Sequence, residues 1–369
     1  MYIHSYNTIT PLGFSLQENI NNLLNEKSGI KIYKNYPIFG DIPLSKIDEN
    51  EIEKRFKSLN IKGFSKLEKI LALSVLPLLS KVKITEKTLF ILSSTKGNID
   101  KLLEKAFSSE VLLQTSAQKL AQFLGIKNTP IILSNACVSG AMALSIAKRF
   151  LQTERYENAI ILAGDIISDF VLSGFQSFQA ISPNPCKPYD KKRDGITLGE
   201  AAVAMYLVNN QNNTIAKILG DSSLNDANHI SGPSRTGEGL YLSIKKALEQ
   251  SNITENEVDM INAHGTATLY NDEMESIAFN RMNMQNIPLN SLKGYFGHTL
   301  GASGLLETAI SVELAKQGKI IKSIGFEELG VTNFIRIQQK TENKIIKNIL
   351  KTASGFGGTN TALLIQMNN

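Results

Sequence analysis

Short apolar runs rich in β-forming residues alternate with longer amphipathic stretches, and this alternation restricts the possible fold more than any other feature of the chain. Four of the apolar runs lie at 88–94, 130–136, 158–165 and 201–208. Runs of this kind are typical of strands buried on both faces of a sheet. The stretches 116–125 and 140–154 have the periodicity of amphipathic helices. Strands that alternate with helices predict an α/β fold with a largely parallel sheet.

A polar segment, NNQNNT at 209–214, interrupts this pattern and is the clearest linker signal in the chain. The alternation then resumes, with two helical and two strand patterns at 240–251, 304–318, 258–265 and 362–368, respectively. We therefore expect two α/β halves of comparable length, residues 1–214 and 215–369.

The composition is that of an ordinary globular protein, with 42% hydrophobic and 20% charged residues. A net charge of +5 is too small to indicate a nucleic-acid-binding surface, and no recognition motif accompanies it. No apolar run reaches the roughly 18 to 20 residues that span a bilayer, and the N-terminal segment lacks the features of a signal peptide. The two cysteines do not indicate a disulfide framework. These features predict a cytoplasmic protein that binds neither nucleic acid nor membrane.

Cys137 lies where a strand pattern, PIILSNA, turns into a helical one, SGAMALSIAKRF. Small neighbours such as Ala136 and Gly140 would let a substrate reach the sulfur. A cysteine at the start of a helix feels the positive end of the helix dipole, which favours the nucleophilic thiolate. The alternative is a small buried thiol that packs the corner between strand and helix. Cys186, in SPNPCKPYD, has no such context and is interpreted as structural.

Two of the four histidines lie in glycine-containing loops after strand patterns. His264 lies in NAHGTAT and His298 in GYFGHTLGASG, with Lys293 a few residues before the second. Loop histidines beside glycines indicate that a ligand approaches the backbone closely. Neither histidine has a second ligand at the spacing of a metal site, so we expect no metal.

Five ordered segments resemble motifs of the β-ketoacyl synthase family, the condensing enzymes of fatty-acid and polyketide synthesis. They are NACVSGAMAL, KPYDKKRDGITLGEAA, NAHGTATLYNDEMES, LKGYFGHTLGASG and SGFGGTNTALL. The N-terminal segment NTITPLGFSLQENINNLLNEKSGI is also similar to the family, so the resemblance covers almost the whole chain. It implies the thiolase-like fold, in which two similar α/β halves form a five-layer αβαβα arrangement, usually as a homodimer.

The resemblance also implies a reaction. A Cys-His-His set is typical of the elongating branch of the family, whereas the initiating branch has asparagine in the last position. Cys137 would hold the acyl group, and the backbone N–H groups of Cys137 and Phe356 would stabilise the oxyanion. His264 and His298 would stabilise the enolate that forms when malonyl-carrier protein loses CO₂. The product would be a β-ketoacyl thioester.

Further roles follow from matched positions. Lys293 would support the site electrostatically, with Glu275 as its carboxylate partner. Thr266 and Thr268 would bind the phosphopantetheine arm, and Phe356 would gate the mouth of the pocket. No cofactor is expected, because the chemistry needs none and the glycine-rich GFGGTN precedes a strand instead of opening a helix, unlike a dinucleotide fingerprint.

The expected partner is an acyl carrier protein, which is acidic as a class. Five cations in one segment could bind it, namely Arg55, Lys57, Lys62, Lys66 and Lys69. The alternative for this segment is a solvated helix face. Arg193 and Asp194, in KPYDKKRDG, are interpreted as structural.

The chain departs from the family pattern in two places. The segment between the strand pattern at 88–94 and Cys137 is shorter than in most relatives, and Ser354 stands where phenylalanine is common. The short segment leaves open both a homodimer and a heterodimer with another ketosynthase. It also leaves open a pocket-shaping subunit with little or no catalysis, although such subunits usually lack the active cysteine. A thiolase would need a second cysteine in the C-terminal glycine loop, where this chain has Phe356.

Overall fold

The computed structural model describes residues 1–103 and 108–368. In this part of the chain the strands are β1 (Tyr2–Ile9), β2 (Lys31–Tyr36), β3 (Gly40–Ser45), β4 (Thr88–Ser93), β5 (Ile131–Leu133), β6 (Asn158–Asp165), β7 (Leu198–Gly199), β8 (Ala201–Val208), β9 (Ala216–Asn225), β10 (Met260–Asn262), β11 (Leu289–Asn290), β12 (Lys319–Ile320), β13 (Glu342–Asn343), β14 (Asn348–Ser354) and β15 (Thr359–Met367). The α-helices are α1 (Leu16–Leu24), α2 (Glu49–Lys57), α3 (Lys66–Val75), α4 (Leu113–Leu124), α5 (Ser139–Gln152), α6 (Asp169–Ser177), α7 (Glu238–Ser251), α8 (Leu269–Arg281), α9 (Lys293–Phe296) and α10 (Ser303–Lys316). Each of these described helices is too short or too polar to cross a bilayer.

Most elements form where the periodicity predicts them. The apolar runs become β4, β5, β6 and β8, and the helical stretches become α4, α5, α7 and α10. The strands β6 and β8 are buried along their whole length, as expected for strands covered on both faces. The strand predicted at 258–265 is shorter than expected, because β10 ends at Asn262 and an irregular loop follows.

One mixed sheet runs through the described structure in the order β11-β10-β14-β15-β9-β1-β8-β6-β4-β5. It consists of two groups of strands with the same connectivity. In the first group β1, β8 and β6 are antiparallel neighbours, and β6, β4 and β5 are parallel. In the second group β9, β15 and β14 are antiparallel, and β14, β10 and β11 are parallel. The expected parallel sheet is therefore present only in the outer part of each group.

The two groups meet where β1 pairs with β9, at Tyr2↔Lys217 and Ile3↔Ala216. The polar segment 209–214 connects β8 to β9 and so leads from one group to the other. The exact domain boundary at residue 214 stays a prediction.

Helices lie outside each group of strands and between the two groups. The central helices α5 and α10 pack on each other and on strands of both groups, within one hydrophobic cluster. The helices α3 and α4 cover the outer face of the first group, and α7 and α8 cover the outer face of the second. The layers thus follow the order αβαβα, which confirms the predicted thiolase-like arrangement.

The central helices approach each other so closely that only glycine fits where they cross. A Cβ on Gly140 of α5 would lie 2.7 Å from the backbone nitrogen of Leu305, and one on Gly304 of α10 would lie 2.4 Å from the backbone nitrogen of Ala141. Both distances are too short for carbon and nitrogen atoms that are not bonded to each other. Because α5 begins just after Cys137, this crossing fixes where Cys137 lies relative to α10.

Replacing Gly304 by alanine would force a methyl group into the crossing. We expect the free energy of unfolding to fall by about 1–3 kcal/mol, the usual effect of overpacking a tight interior, as measured by urea denaturation. Gly174→Ala in α6 is the matched control, because a Cβ there meets nothing within 4 Å and alanine favours a helix by about 0.5–1 kcal/mol. A Gly304→Ala protein as stable as the wild type would contradict the close crossing.

Candidate active site

Cys137 lies in a tight turn between β5 and α5. Ala136 adopts the left-handed backbone conformation, with a φ of 42°, which residues with a side chain rarely adopt. The Ser139 hydroxyl closes the turn, because its Oγ accepts the Asn135 N–H at 2.8 Å and donates to the Ala136 carbonyl at 2.7 Å. The turn leaves the Cys137 side chain almost buried, at the wall of a cavity.

The structure brings Cys137, His264 and His298 to one point. His264 follows β10 and His298 follows α9, so both come from the second half of the chain. Sγ of Cys137 and one ring nitrogen of each histidine all lie within 4.8 Å of one another. The two imidazole rings meet edge to face, with their centroids 5.2 Å apart. The three side chains therefore share one reaction centre.

A buried ion pair lies behind the histidines. Lys293 Nζ donates to the carbonyl oxygen of His264 at 2.5 Å and to Oε1 of Glu307 at 2.7 Å, and it lies 3.3 Å from His264 Nδ1. The other carboxylate oxygen of Glu307 accepts from Lys351 Nζ at 2.6 Å. The prediction that Glu275 is the carboxylate partner of Lys293 is wrong, because Glu307 occupies that place.

Glu275 instead holds the loop that carries His264. Its carboxylate accepts the backbone N–H groups of His264 and Gly265, at 2.9 and 2.7 Å. The hydroxyl of Tyr189 and the side-chain amide of Asn271 also donate to it, at 2.8 and 3.0 Å. A buried carboxylate needs such donors, and here they tie α8 to the loop. Glu275 thus supports the site through the backbone.

The hydrogen bonds at Nδ1 fix the tautomer of both histidines. His264 Nδ1 faces the Lys293 ammonium, which has only hydrogens to offer, so this nitrogen must accept. His298 Nδ1 accepts the backbone N–H of Leu300 at 3.3 Å and lies 3.0 Å from Ser303 Oγ. Each neutral ring therefore carries its hydrogen on Nε2, the nitrogen left free for the cavity.

Burial lowers the pKa of His264 and of His298 well below the ordinary value, and the positive charges of Lys293 and Lys351 lower it further. Both imidazoles are therefore neutral at physiological pH. A neutral imidazole can stabilise a negative oxygen through its N–H without giving up the proton.

Burial also raises the pKa of the Cys137 thiol to about 11, although the charge of Lys293 and the backbone N–H of Phe356 both lower it. The helix start favours the thiolate, but at this position burial has the larger effect on the pKa. Loss of hydration in the buried turn outweighs the helix dipole, because the sulfur lies away from water. The thiol must lose its proton during the reaction.

The glycine-rich loop after β14 places a second backbone donor beside Cys137. The N–H of Phe356 points to the Cys137 sulfur, and a Cβ on Gly355 would lie 3.3 Å from the Cys137 nitrogen. Gly357 and Gly358 have φ angles of 91° and 87°, which glycine alone adopts freely. The backbone N–H groups of Cys137 and Phe356 are thus placed to bind the oxygen of a thioester attacked by the sulfur.

A cavity of about 390 Å³ opens in front of Cys137 and contains both histidines in its wall. Exposed apolar side chains also line it, namely Phe178, Ile230, Leu269 and Tyr270. A cavity with polar donors at its base and an apolar rim suits a long, flexible group that carries its reactive atom at the tip.

The residues expected to contact the substrate arm lie in the same cavity. The Phe356 ring packs against Phe175 and Phe178, with centroids 5.7 and 5.4 Å apart. The hydroxyl oxygens of Thr266 and Thr268 lie 3.0 Å apart. Thr268 also caps α8, so its hydroxyl has a structural role beside the one predicted.

The residues interpreted as structural make contacts with the backbone and with neighbouring hydroxyls. Arg193 is buried and donates to the carbonyl of Gly330 at 2.5 Å. Asp194 accepts a serine hydroxyl, although it also lines the cavity. Cys186 donates from Sγ to the backbone carbonyl of Lys293 at 3.3 Å.

Sequence reasoning missed Glu307 and Lys351. Glu307 lies in LLETAIS, a fully buried stretch of α10, and Lys351 interrupts the buried strand β14. A charged side chain in the middle of a buried element needs a partner of opposite charge. A charged residue within an apolar run was thus the available signal in the sequence. Glu307 and Lys351 form an ion pair with each other.

Cysteine and histidine are the residue types that bind zinc in many proteins. The hydrogen bonds around Cys137, His264 and His298, however, do not fit a bound metal. A metal-bound histidine normally donates its other N–H to a carboxylate or carbonyl. Here Nδ1 of His264 and of His298 both accept hydrogen bonds. A divalent cation would also lie close to the positive charge of Lys293. The site therefore favours an anionic reaction centre.

Three of the five cations predicted to bind a carrier protein are engaged in ion pairs. Lys66 lies 2.8 Å from both Glu49 and Glu200, and Lys69 and Arg55 pair with neighbouring glutamates. The other two are exposed, namely Lys57 and Lys62. Any docking through this segment would depend mainly on the last two.

The raised pKa of Cys137 predicts slow alkylation at neutral pH. Because the thiolate is the reacting form, iodoacetamide should modify Cys137 about tenfold faster for each added pH unit up to about pH 10. Peptide mass spectrometry measures the rate, and Cys137→Ser gives the background from Cys186. A rate that reaches its plateau below about pH 8 would show that the resting residue is a thiolate, contrary to this assignment.

Two family models match the chain: that of the β-ketoacyl synthase N-terminal domain at residues 90–213 and that of the C-terminal domain at 215–327. Among the relatives, a 3-oxoacyl-[acyl-carrier-protein] synthase homolog of Saccharomyces cerevisiae is 25% identical over 426 residues, which cover 97% of this chain and 96% of the relative. The 3-oxoacyl-[acyl-carrier-protein] synthase 2 of Rhizobium meliloti is 31% identical over 251 residues, 63% of this chain and 59% of the relative.

Solved structures have the same fold. A ketosynthase from Xenorhabdus doucetiae, in complex with its chain length factor, has a TM-score of 0.86 at 24% identity over 100% of this chain and 98% of that one. A β-ketoacyl synthase from Burkholderia phymatum has a TM-score of 0.86 at 22% identity over 100% and 99%. The two family models together span well over half of the residues, so the chain belongs to the β-ketoacyl synthase family.

Proposed function

We propose that this chain is an elongating β-ketoacyl-[acyl-carrier-protein] synthase, an acyltransferase that joins malonyl-carrier protein to an enzyme-bound acyl group. One observation carries the proposal: the Cys137 sulfur and one ring nitrogen of each of two imidazoles lie within 4.8 Å of one another at the wall of one cavity. A single cavity thus offers a nucleophile for an acyl thioester and two donors for an enolate.

The first half-reaction is acyl transfer. Sγ of Cys137 attacks the thioester carbon of an acyl-carrier protein, and the carbonyl oxygen becomes an oxyanion between the N–H groups of Cys137 and Phe356. The bond from carbon to the carrier sulfur then breaks. The proton of the Cys137 thiol leaves on the released pantetheine sulfur, so no net proton is taken up or given off. The acyl group remains on Cys137 as a thioester.

The second half-reaction begins when malonyl-carrier protein loses CO₂. The electrons of the broken carbon–carbon bond form an enolate, whose oxygen receives N–H bonds from Nε2 of His264 and His298. Since neither ring gives up its proton, the enolate carbon stays nucleophilic. It attacks the Cys137 thioester, a new carbon–carbon bond forms, and the carbon–sulfur bond breaks. The expelled Cys137 sulfur takes up one proton from the solvent, which balances the negative charge of the carboxylate lost as CO₂.

The remaining predicted residues would handle the substrate arm. Thr266 and Thr268 offer hydroxyls to the amides of phosphopantetheine, and Phe356 lies beside the sulfur where it can admit or exclude the arm. The carrier protein would meet the exposed apolar rim of the cavity, and Lys57 and Lys62 are exposed for its acidic surface.

The pocket-shaping alternative is not favoured, because a non-catalytic subunit has no use for an intact thiol and two oriented imidazoles. Pairing with a second ketosynthase chain, identical or different, stays a prediction. The same holds for a location in the cytoplasm and for the division into residues 1–214 and 215–369.

Purified protein incubated with acyl-carrier protein should gain one acyl group, and that group should lie on Cys137. Cys137→Ala should abolish both acyl uptake and β-ketoacyl product, since the thioester has no other place to form. Intact-protein and peptide mass spectrometry measure both, with Cys186→Ser as the control that keeps the label. Product formation that survives Cys137→Ala would exclude this mechanism.

Replacing His298 by alanine removes one donor to the enolate. Decarboxylation of malonyl-carrier protein should slow by about 10²- to 10³-fold, the usual effect of losing one oxyanion donor, while acylation of Cys137 continues. Release of labelled CO₂ measures the first rate and mass spectrometry the second, and His4→Gln on β1 serves as the control. Equal losses in both half-reactions would argue against a specific role at the enolate.

A further inference from the structure

Lys351 is a second buried lysine close to the reaction centre, and its hydrogen bonds go to Glu307 and to backbone carbonyls, not to a reacting side chain. It lies on β14 and is 0% exposed. Its Nζ donates to Oε2 of Glu307 and to the Thr352 carbonyl, both at 2.6 Å, and lies 3.5 Å from the Asn262 carbonyl. A buried ion pair often adds little stability compared with apolar side chains of similar volume. The presence of Lys351 therefore suggests a role other than packing.

The cluster behind the histidines holds two ammonium groups around one shared carboxylate. Glu307 is shared by Lys293 and Lys351, at 2.7 and 2.6 Å. Glu275 faces Lys351 from α8 as a second carboxylate, and backbone N–H groups and a hydroxyl bind it. Lys351 therefore holds one side of Glu307, while Lys293 on the other side faces His264.

We propose that Lys351 is a positioning residue for the condensation, which holds Glu307 in place and, through Glu307, the Lys293 ammonium that faces His264. This inference rests on the proposed function. The contacts that carry it are the continuous series from Lys351 through Glu307 and Lys293 to His264 Nδ1.

The electrostatic direction agrees with this role. The groups that face the two rings are Lys293, Lys351, the other ring and the Cys137 thiol. After burial, the charges of both lysines lower the pKa of each imidazole. Removal of Lys351 would therefore raise the pKa of both rings and increase the imidazolium fraction at any given acidic pH.

An imidazolium would misdirect the second half-reaction. It would stabilise the enolate but would also deliver its Nε2 proton to it, since an imidazolium is a far stronger acid than imidazole. Protonation at carbon turns malonyl-carrier protein into acetyl-carrier protein and CO₂, while the acyl group stays on Cys137. CO₂ release without a new carbon–carbon bond is thus the signature of a lost Lys351 charge.

Lys351→Met removes the charge and keeps a similar side-chain volume. Acyl-loaded enzyme is mixed with malonyl-carrier protein over a range of pH, and mass spectrometry measures acetyl- and β-ketoacyl-carrier protein. We expect the ratio of acetyl to β-ketoacyl product to rise about tenfold near pH 6. The acidic limb of the pH–rate profile, where the condensation rate falls as the pH is lowered, should move to higher pH by about one unit. Lys322→Met is the control, because Lys322 pairs with Glu26 at the surface, at 2.5 Å.

The double variant Glu307→Gln/Lys351→Met separates charge from packing. It removes one positive and one negative charge, so the net charge near the two imidazoles is that of the wild type. We expect the product ratio and the acidic limb to return toward wild-type values, although total activity falls. A purely structural Lys351 predicts instead that the double variant is worse than Lys351→Met in every readout.

The proposal is overturned if folded Lys351→Met loses activity or thermal stability while the product ratio and the acidic limb stay in place. Should Lys351→Met fail to fold, Lys351→Gln carries the same test, because it is neutral but keeps an N–H donor for Glu307. Failure of the proposed function is a different result: wild-type protein would then form no β-ketoacyl product at any pH.

Discussion

The contact between Lys293 and Glu307 is the interaction on which the rest of the site depends. Through it α9, α10 and the loop after β10 are joined at one buried ammonium, which donates to Glu307 and to the carbonyl of His264. Buried ion pairs often add little stability compared with an apolar pair of the same volume. Here the ion pair fixes the tautomer of His264, because an ammonium that faces Nδ1 permits only the tautomer with its hydrogen on Nε2. An apolar pair would preserve the packing but would not fix the tautomer.

The crossing of α5 and α10 explains how the two halves of the chain make one site. Cys137 comes from the first half and the histidines from the second, and they meet because both central helices belong to the same layer. The contact of Gly140 with the α10 backbone fixes how closely the two helices approach each other. Side chains that come from separate groups of strands need such a rigid contact to keep hydrogen-bond geometry.

Local patterns predicted local structure, and what they missed depends on contacts distant in sequence. The periodicity located β6, β8, α5 and α10, but it carries no information on which strands pair, so the antiparallel centre of each group was not foreseen. Glycine-flanked loops identified His264 and His298. The family resemblance implies Glu275 as the partner of Lys293, yet which carboxylate faces an ammonium is decided by how α10 packs. The start of α5 predicts a dipole that favours the Cys137 thiolate, but a sequence does not show how far burial opposes it.

Desolvation couples the protonation states of all three catalytic candidates. The same burial that raises the pKa of Cys137 lowers the pKa of His264 and of His298. A wetter site would give a more reactive thiolate, but it would also give imidazolium rings and water, both of which destroy an enolate by protonating it. The resting site is therefore uncharged at its three reacting groups, and the proton of Cys137 leaves with the substrate sulfur. A dry cavity favours carbon–carbon bond formation at the expense of a faster first attack.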